Sequence, residues 1–248
     1  MPIYLETHMK KIVLVTGASS GIGQATSVRL AREGHHLVIG ARREDRLAAV
    51  AESIRNEGGS VEVHRLDVTD RSDVTRFADT AAERHGRVDV IVNNAGVMPL
   101  SRLDSLLVEE WERMIDVNVR GLLHGIAAAL PHFQRQGGGH FVTVASIGAH
   151  GVVPTAAVYC ATKYAAWAIT EGLRLELDPS IRVTTISPGV VESELADTIT
   201  EPGAQEAMRA YRADSIPPEA IADAIAYAIG RPPEVDVNEM IIRPARQR

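Results

Sequence analysis

Tyr159 and Lys163 stand four residues apart in AAVYCATKYAA, residues 156–166. A phenol with an ordinary pKa of about 10 is a poor proton carrier at neutral pH, and a neighbouring ammonium lowers that pKa. From about Thr155 to Leu177 alanines recur at helical spacing. Residues four apart on a helix share a face, whereas adjacent ones diverge by about 100°. Lys163 therefore serves Tyr159, which becomes a general acid and base, and Tyr164 reads as packing. Ser146 closes the run HFVTVAS, a strand tip where a hydroxyl can hold a substrate oxygen beside the tyrosine. Asn118, in MIDVNVRG, reads by itself as a buried amide tied to backbone.

The elements that must position these groups are legible as alternation. Apolar runs at 11–16, 36–40, 61–66, 88–94, 140–146, 181–187 and 239–244 read as strands covered on both faces. Segments such as GQATSVRLAREG and RSDVTRFADTAAERHG carry apolar residues at three- and four-residue spacing. Gly34, Gly58 and Gly86 stand where those helices should stop. Strand–helix alternation over the whole length predicts a parallel sheet with helices on both sides, which binds ligands at the carboxyl ends of its strands.

The first strand runs into TGASSGIG, residues 16–23. Gly17, Gly21 and Gly23 allow a tight turn and close backbone approach, and the following helix N-terminus can accept a pyrophosphate. The spacing is G-x-x-x-G-x-G rather than the common G-x-G-x-x-G. The second strand ends in LVIGARRED. Arg42 and Arg43 suit a ribose 2′-phosphate, which a carboxylate at the strand tip would repel. Glu44 and Asp45 are the competing candidates and read instead as first-turn acids of the next helix. NADP is therefore expected over NAD. LDV (66–68) and NNAG (93–96) end the third and fourth strands on the same edge. They offer Asp67 to an adenine amino group, and Asn94 and Gly96 as a close backbone approach.

Composition narrows the class. A net charge of -6 disfavours nucleic acid, whose binding needs clustered Lys and Arg. Cys160 is the only cysteine, so no intrachain disulfide can form; its setting among Ala and Thr reads as core, not nucleophile. No signal peptide and no apolar run of about 18 residues is present, and a cytoplasmic protein with no membrane partner is expected. His35 and His36 lack ligand-spaced companions, and His132, His140 and His150 are scattered, so no metal is expected. Met9 reads as the natural start, with residues 1–9 a terminal extension and 10–248 one catalytic domain.

TGASSGIG, LDV, NNAG, Asn118, Ser146, Tyr159-x-x-x-Lys163 and SPG (187–189), in that order, resemble the classical short-chain dehydrogenase/reductase family from about residue 10 to the C-terminus. The resemblance implies an α/β single-domain Rossmann fold, with a doubly wound, mostly parallel seven-stranded sheet and helices on both faces. It implies cofactor contacts from Gly17, Ser19, Ser20, Gly21, Ile22, Gly23, Arg42, Arg43, Asp67, Val68, Asn94, Ala95 and Gly96, and from Tyr159, Lys163, Pro188, Gly189, Val191 and Ser193. Ser193 stands where the family often has threonine. It further implies that Tyr159 protonates a carbonyl oxygen, that Lys163 also holds the nicotinamide ribose, that Ser146 orients the substrate, and that Asn118 supports a water relay to Lys163. Hydride would pass between NADP(H) and a small to medium carbonyl or secondary alcohol, with no metal. The tail VNEMIIRPARQR and the arginine pair look closer to the NADP-dependent branch of serine-type hydroxy-acid dehydrogenases and clavaldehyde reductase.

A mostly apolar substrate pocket is expected from residues 147–157, Met98 and 190–215, with 194–215 a weak helix interrupted by Pro202 and Gly203 and serving as a mobile lid. Long helices at about 109–135 and 155–178 would pair across subunits into a homotetramer. The rival readings are a 3-oxoacyl-acyl-carrier-protein reductase, a non-catalytic NADP-binding scaffold, and a sugar epimerase or dehydratase, which usually needs a further substrate domain.

Overall fold

The computed structural model describes residues 10–247, so the expectation about residues 1–9 lies outside the described residues. Seven parallel strands form one sheet in the order β3-β2-β1-β4-β5-β6-β7. They are β1 (Ile12–Thr16), β2 (His36–Ala41), β3 (Ser60–Arg65), β4 (Val90–Asn93), β5 (Gly139–Val144), β6 (Ile181–Pro188) and β7 (Glu239–Ile242). Each expected run became a strand, and every pairing is parallel.

The helices are α1 (Gly21–Arg32), α2 (Glu44–Asn56), α3 (Arg71–His85), α4 (Val108–Ile115), α5 (Gly121–Gln136), α6 (Ala157–Glu176), α7 (Pro202–Tyr211) and α8 (Pro218–Ile229). Strand residues alternate between faces. Val13, Val15, Leu37 and Ile39 pack with Leu30 of α1, Leu47 and Ile54 of α2 and Ile225 of α8. Leu14, Val38 and Ile91 pack with Phe77 of α3, Phe133 of α5 and Cys160 of α6. This is the doubly wound arrangement. The core is aliphatic, with Phe133 edge-on to Phe141 at a centroid distance of 4.8 Å.

Gly34, Gly58 and Gly86 all take positive φ where helices end. Asp70 caps α3 by accepting from the backbone N–H of Ser72 at 2.8 Å. One expectation fails at Pro202. It starts α7 instead of interrupting a helix, because proline is pre-set for the first helical position and Glu201 caps the turn through the N–H groups of Gly203 and Ala204. Tyr164 also differs from its reading as packing: it is 40% exposed.

The chain order reverses between β1 and β4, which lie side by side while their following helices go to opposite faces. That crevice is where such sheets take their ligands. Because Phe77 is only 1% exposed between α3 and the sheet, Phe77→Ala should cost about 3–5 kcal/mol of stability, read as a lower urea midpoint at unchanged slope.

Candidate active site

One large cavity of ≈ 1030 Å³ opens at the carboxyl edge of the sheet. Nearly every residue singled out from the sequence lines it: Gly17, Ser19, Ser20, Gly21 and Ile22 of the first loop, Arg42, Arg43, Asp67, Val68, Asn94 to Gly96, Ser146, Tyr159, Lys163, Pro188, Gly189, Val191 and Ser193. Gly23 and Asn118 lie behind its wall. The glycine loop is built for close approach. Gly17 sits at φ +67, with a would-be Cβ 2.8 Å from the Ala95 Cα, and a Cβ on Gly23 would stand 2.4 Å from the Gly17 carbonyl oxygen. Only bare backbone fits there, as a phosphate cradle at a helix N-terminus requires.

Thr16, which the sequence reading passed over, ties this loop to β4. Its hydroxyl accepts from the N–H of Asn94 at 3.0 Å and of Ala95 at 3.1 Å. The Asn94 amide donates to the carbonyls of Thr16 at 2.9 Å and Gly17 at 3.2 Å. Asn94 is thus a strut under the loop. A threonine hydroxyl closing a strand before the first glycine was the signal available.

At the second strand's end Ala41 lines the cavity and Arg42 and Arg43 flank it. Glu44 and Asp45 fall in the first turn of α2 as expected and do not line the cavity. Arg43 lies over the loop, donating to Ser20 at 2.7 Å and Ser19 at 3.1 Å. It also pairs with Glu194 at 2.8 Å, and Arg46 shares that carboxylate. The sequence reading missed Glu194, whose partners lie about 150 positions away. Asp67 lines the cavity, yet one of its oxygens accepts from the N–H of Thr69 at 3.0 Å and from its hydroxyl.

Asn118 lies in a π-type turn, Asp116–Arg120, between α4 and α5. Its amide brackets Val97, accepting from the N–H at 2.9 Å and donating to the carbonyl at 3.0 Å, and it reaches the Thr162 hydroxyl at 3.1 Å. The π turn supplies the offset. A second cavity of ≈ 10 Å³ between Asn118 and Lys163 has room for about one water.

The substrate end holds Ile147, Met98 and the stretch 150–156. Val152, Val153, Pro154 and Ala156 keep this lining mostly apolar, as expected, and Arg113, Arg212 and Arg243 add positive charge to the wall of the shared cavity. Arg212 donates to the Ser193 carbonyl at 2.6 Å. Gln247 brings the chain's end back to the cleft, its side-chain oxygen accepting from the Val190 N–H at 3.1 Å.

Residues 11–204 match the sequence model of the short chain dehydrogenase family. The chain belongs to that family. An uncharacterized oxidoreductase of Staphylococcus saprophyticus is 46% identical over 240 residues, covering 96% of this chain and 97% of the relative. Among solved structures, an alcohol dehydrogenase of the archaeon Thermococcus sibiricus complexed with 5-hydroxy-NADP is 34% identical, with a TM-score of 0.86 over 96% of this chain and 98% of that one. A closed serine dehydrogenase complexed with NADP+ is 28% identical, with a TM-score of 0.85 over 93% and 94%. This short-chain dehydrogenase is accordingly an oxidoreductase.

Within this family member the electrostatics of the pair differ from the sequence expectation. Tyr159 and Lys163 do share one face of α6, with the amine 5.8 Å from the ring centroid. The phenol, however, is pushed up to about 12 by burial, which outweighs the opposing interaction with Ser146. Lys163 is pushed down to about 8, also by burial. Its ammonium donates to the Val144 carbonyl at 3.0 Å, so it is held by β5 rather than by the phenol. The expected lowering of Tyr159 is replaced by desolvation of both groups. Cys160 is buried and its thiol is raised by burial, as a core cysteine should be.

The sign of the resulting pH effect follows. The native amine sheds its proton near pH 8, while the unfolded chain keeps one to about 10.5. Between these values the unfolded state binds more protons, so stability rises with pH. Wild-type stability in urea unfolding, relative to Lys163→Met, should therefore rise by on the order of 1 kcal/mol per pH unit across that window. A flat difference would show that the amine is not desolvated.

Proposed function

We propose that the chain is an NADP(H)-dependent carbonyl reductase and alcohol dehydrogenase for small to medium substrates, with residues 10–248 as its catalytic unit. The single observation carrying this reading is the convergence of Ser146, Tyr159 and Lys163 on the cavity that the glycine loop opens. Bound NADPH would supply a hydride to the carbonyl carbon. The protein's part is to bind, orient and move a proton.

Gly17, Ser19, Ser20, Gly21 and Ile22 would cradle the pyrophosphate, and Arg42 and Arg43 the 2′-phosphate, which would have to replace Glu194 as the partner of Arg43. Asp67 and Val68 would flank the adenine; Pro188, Gly189, Val191 and Ser193 would line the nicotinamide. Ser146 would hold the substrate oxygen. Tyr159, protonated at pH 7 as any phenol is, would give that oxygen its proton. The ammonium of Lys163 would then stabilise the phenolate left behind. Asn118 and the one-water cavity beside Lys163 favour a relay that returns the proton.

Arg113, Arg212 and Arg243 favour a substrate with an anionic substituent over a plain ketone. That supports the hydroxy-acid branch over a 3-oxoacyl-acyl-carrier-protein reductase. The full Ser–Tyr–Lys set tells against a non-catalytic NADP-binding scaffold. Exposed Leu123, Tyr164, Trp167 and Leu175 on α5 and α6 are apolar surface suited to a homotetramer. Among the described residues no helix is long and apolar enough to cross a membrane. The lone cysteine and the reduced cofactor fit the cytoplasm.

A panel of ketones, aldehydes and hydroxy acids, followed through reduced-cofactor absorbance, should give turnover that Tyr159→Phe cuts at least a hundredfold while NADPH affinity stays within about threefold. A variant keeping a tenth of wild-type rate would remove Tyr159 from the mechanism. Arg43→Ala should reduce the NADPH-over-NADH preference in kcat/KM about tenfold or more, and an unchanged preference would return the choice to NAD.

A further inference from the structure

Far from the cleft, strand register brings together side chains that the sequence scatters. His36 opens β2, Glu62 lies in β3, and His85 is the last residue of α3. Parallel pairing sets His36 opposite Ser60 and Val38 opposite Glu62. His36 and Glu62 are therefore diagonal neighbours on one sheet face, and α3 brings His85 over them. The imidazoles of His36 and His85 lie 4.2 Å apart between centroids. The three donor atoms, two imidazole nitrogens and one carboxylate oxygen, all fall within 4.8 Å of one another.

We propose that His36, Glu62 and His85 bind one divalent transition-metal ion, zinc by preference, which clamps the edge strand β3 to β2 and to the end of α3. The first support is an orphaned donor. His36 is 8% exposed, and its Nδ1 is engaged with the Ser60 hydroxyl at 2.6 Å. Its Nε2 is buried with no hydrogen-bond partner. The Glu62 Oε1 is 3.6 Å away, too far for a hydrogen bond, and a buried polar atom left unmatched is costly. An ion between nitrogen and carboxylate gives His36 Nε2 the partner it lacks.

The second support is spacing. A tetrahedral ion with bonds of about 2.0–2.1 Å holds its ligand atoms about 3.3 Å apart. The Glu62 Oε1 stands 2.9 Å from His85 Nε2 and 3.6 Å from His36 Nε2, which brackets that edge. Only the imidazole–imidazole edge has to close. Two imidazoles with one carboxylate suit zinc, whereas calcium and magnesium take oxygen ligands. Three protein donors leave the fourth tetrahedral position to water.

The surroundings fit ligation. Ser60 on His36 Nδ1 is the outer contact that orients a metal-binding imidazole. Arg84 takes Glu62 Oε2 at 2.7 Å and leaves Oε1 turned to the histidines. The site lies at the amino end of β2, across the sheet from the glycine loop that follows β1. Its occupancy should act on stability, leaving turnover unchanged.

The test is calorimetric titration of the chelator-treated full chain with zinc chloride, with cobalt(II) absorption as a second probe. The expected result is one zinc per chain with Kd of about 10 μM or tighter, intense visible cobalt bands of four-coordinate type, and a zinc-dependent rise in Tm. His85→Gln and Glu62→Gln should each weaken zinc at least tenfold and abolish the cobalt bands, with circular dichroism showing both variants folded. His85→Gln should also keep the wild-type NADPH-dependent rate where a substrate is known. Absence of zinc binding in the wild-type chain, or unchanged affinity in both folded variants, would overturn the proposal.

Discussion

Burial of a cation beside a phenol is the constraint around which the cleft is arranged. In water, an ammonium four residues from a tyrosine would modestly ease its ionisation. Inside the protein, loss of solvent works against the charged form of both groups, and here it is the larger effect, with Tyr159 raised to about 12 and Lys163 lowered to about 8. The β5 carbonyl at Val144 compensates by giving the amine one fixed acceptor at 3.0 Å. The pair is consequently poised: a neutral acid beside a base-range amine, each sensitive to any charge that enters the cavity.

Such a site needs rigid support, and the polar residues around it supply this. Thr16 and Asn94 brace the glycine loop, and Asn118 locks Val97 and Thr162 in place. Amides that resemble ligand contacts in one dimension spend most of their hydrogen bonds on backbone. Fixed struts hold reacting groups in productive geometry without reorganisation, and that is compatible with the roles proposed for their neighbours.

The two ends of the sheet carry different chemistry. At the carboxyl ends, loops diverge around the β1–β4 crevice and leave a cavity of ≈ 1030 Å³. The amino end of the β2–β3 pair has a different character. There His36, Glu62 and His85 come together with Arg84 on a single carboxylate.

Strand positions, helix positions and the doubly wound sheet were legible in the sequence because hydrophobic periodicity and glycine punctuation are local signals. The same holds for the Tyr159–Lys163 face, a matter of helical spacing, and for Glu44 and Asp45 as first-turn acids. What required the tertiary structure was every property set by partners distant in the chain. Glu194 bridging to Arg43 and Arg46, Gln247 returning to Val190, the arginines lining the cavity, and the meeting of His36 with Glu62 and His85 depend on register and crossover, which no short window contains. The direction of the tyrosine's pKa belongs to the same class. Sequence spacing specifies a neighbour's charge, but only the folded chain specifies how much water is removed from around it, and at Tyr159 that removal decides the sign.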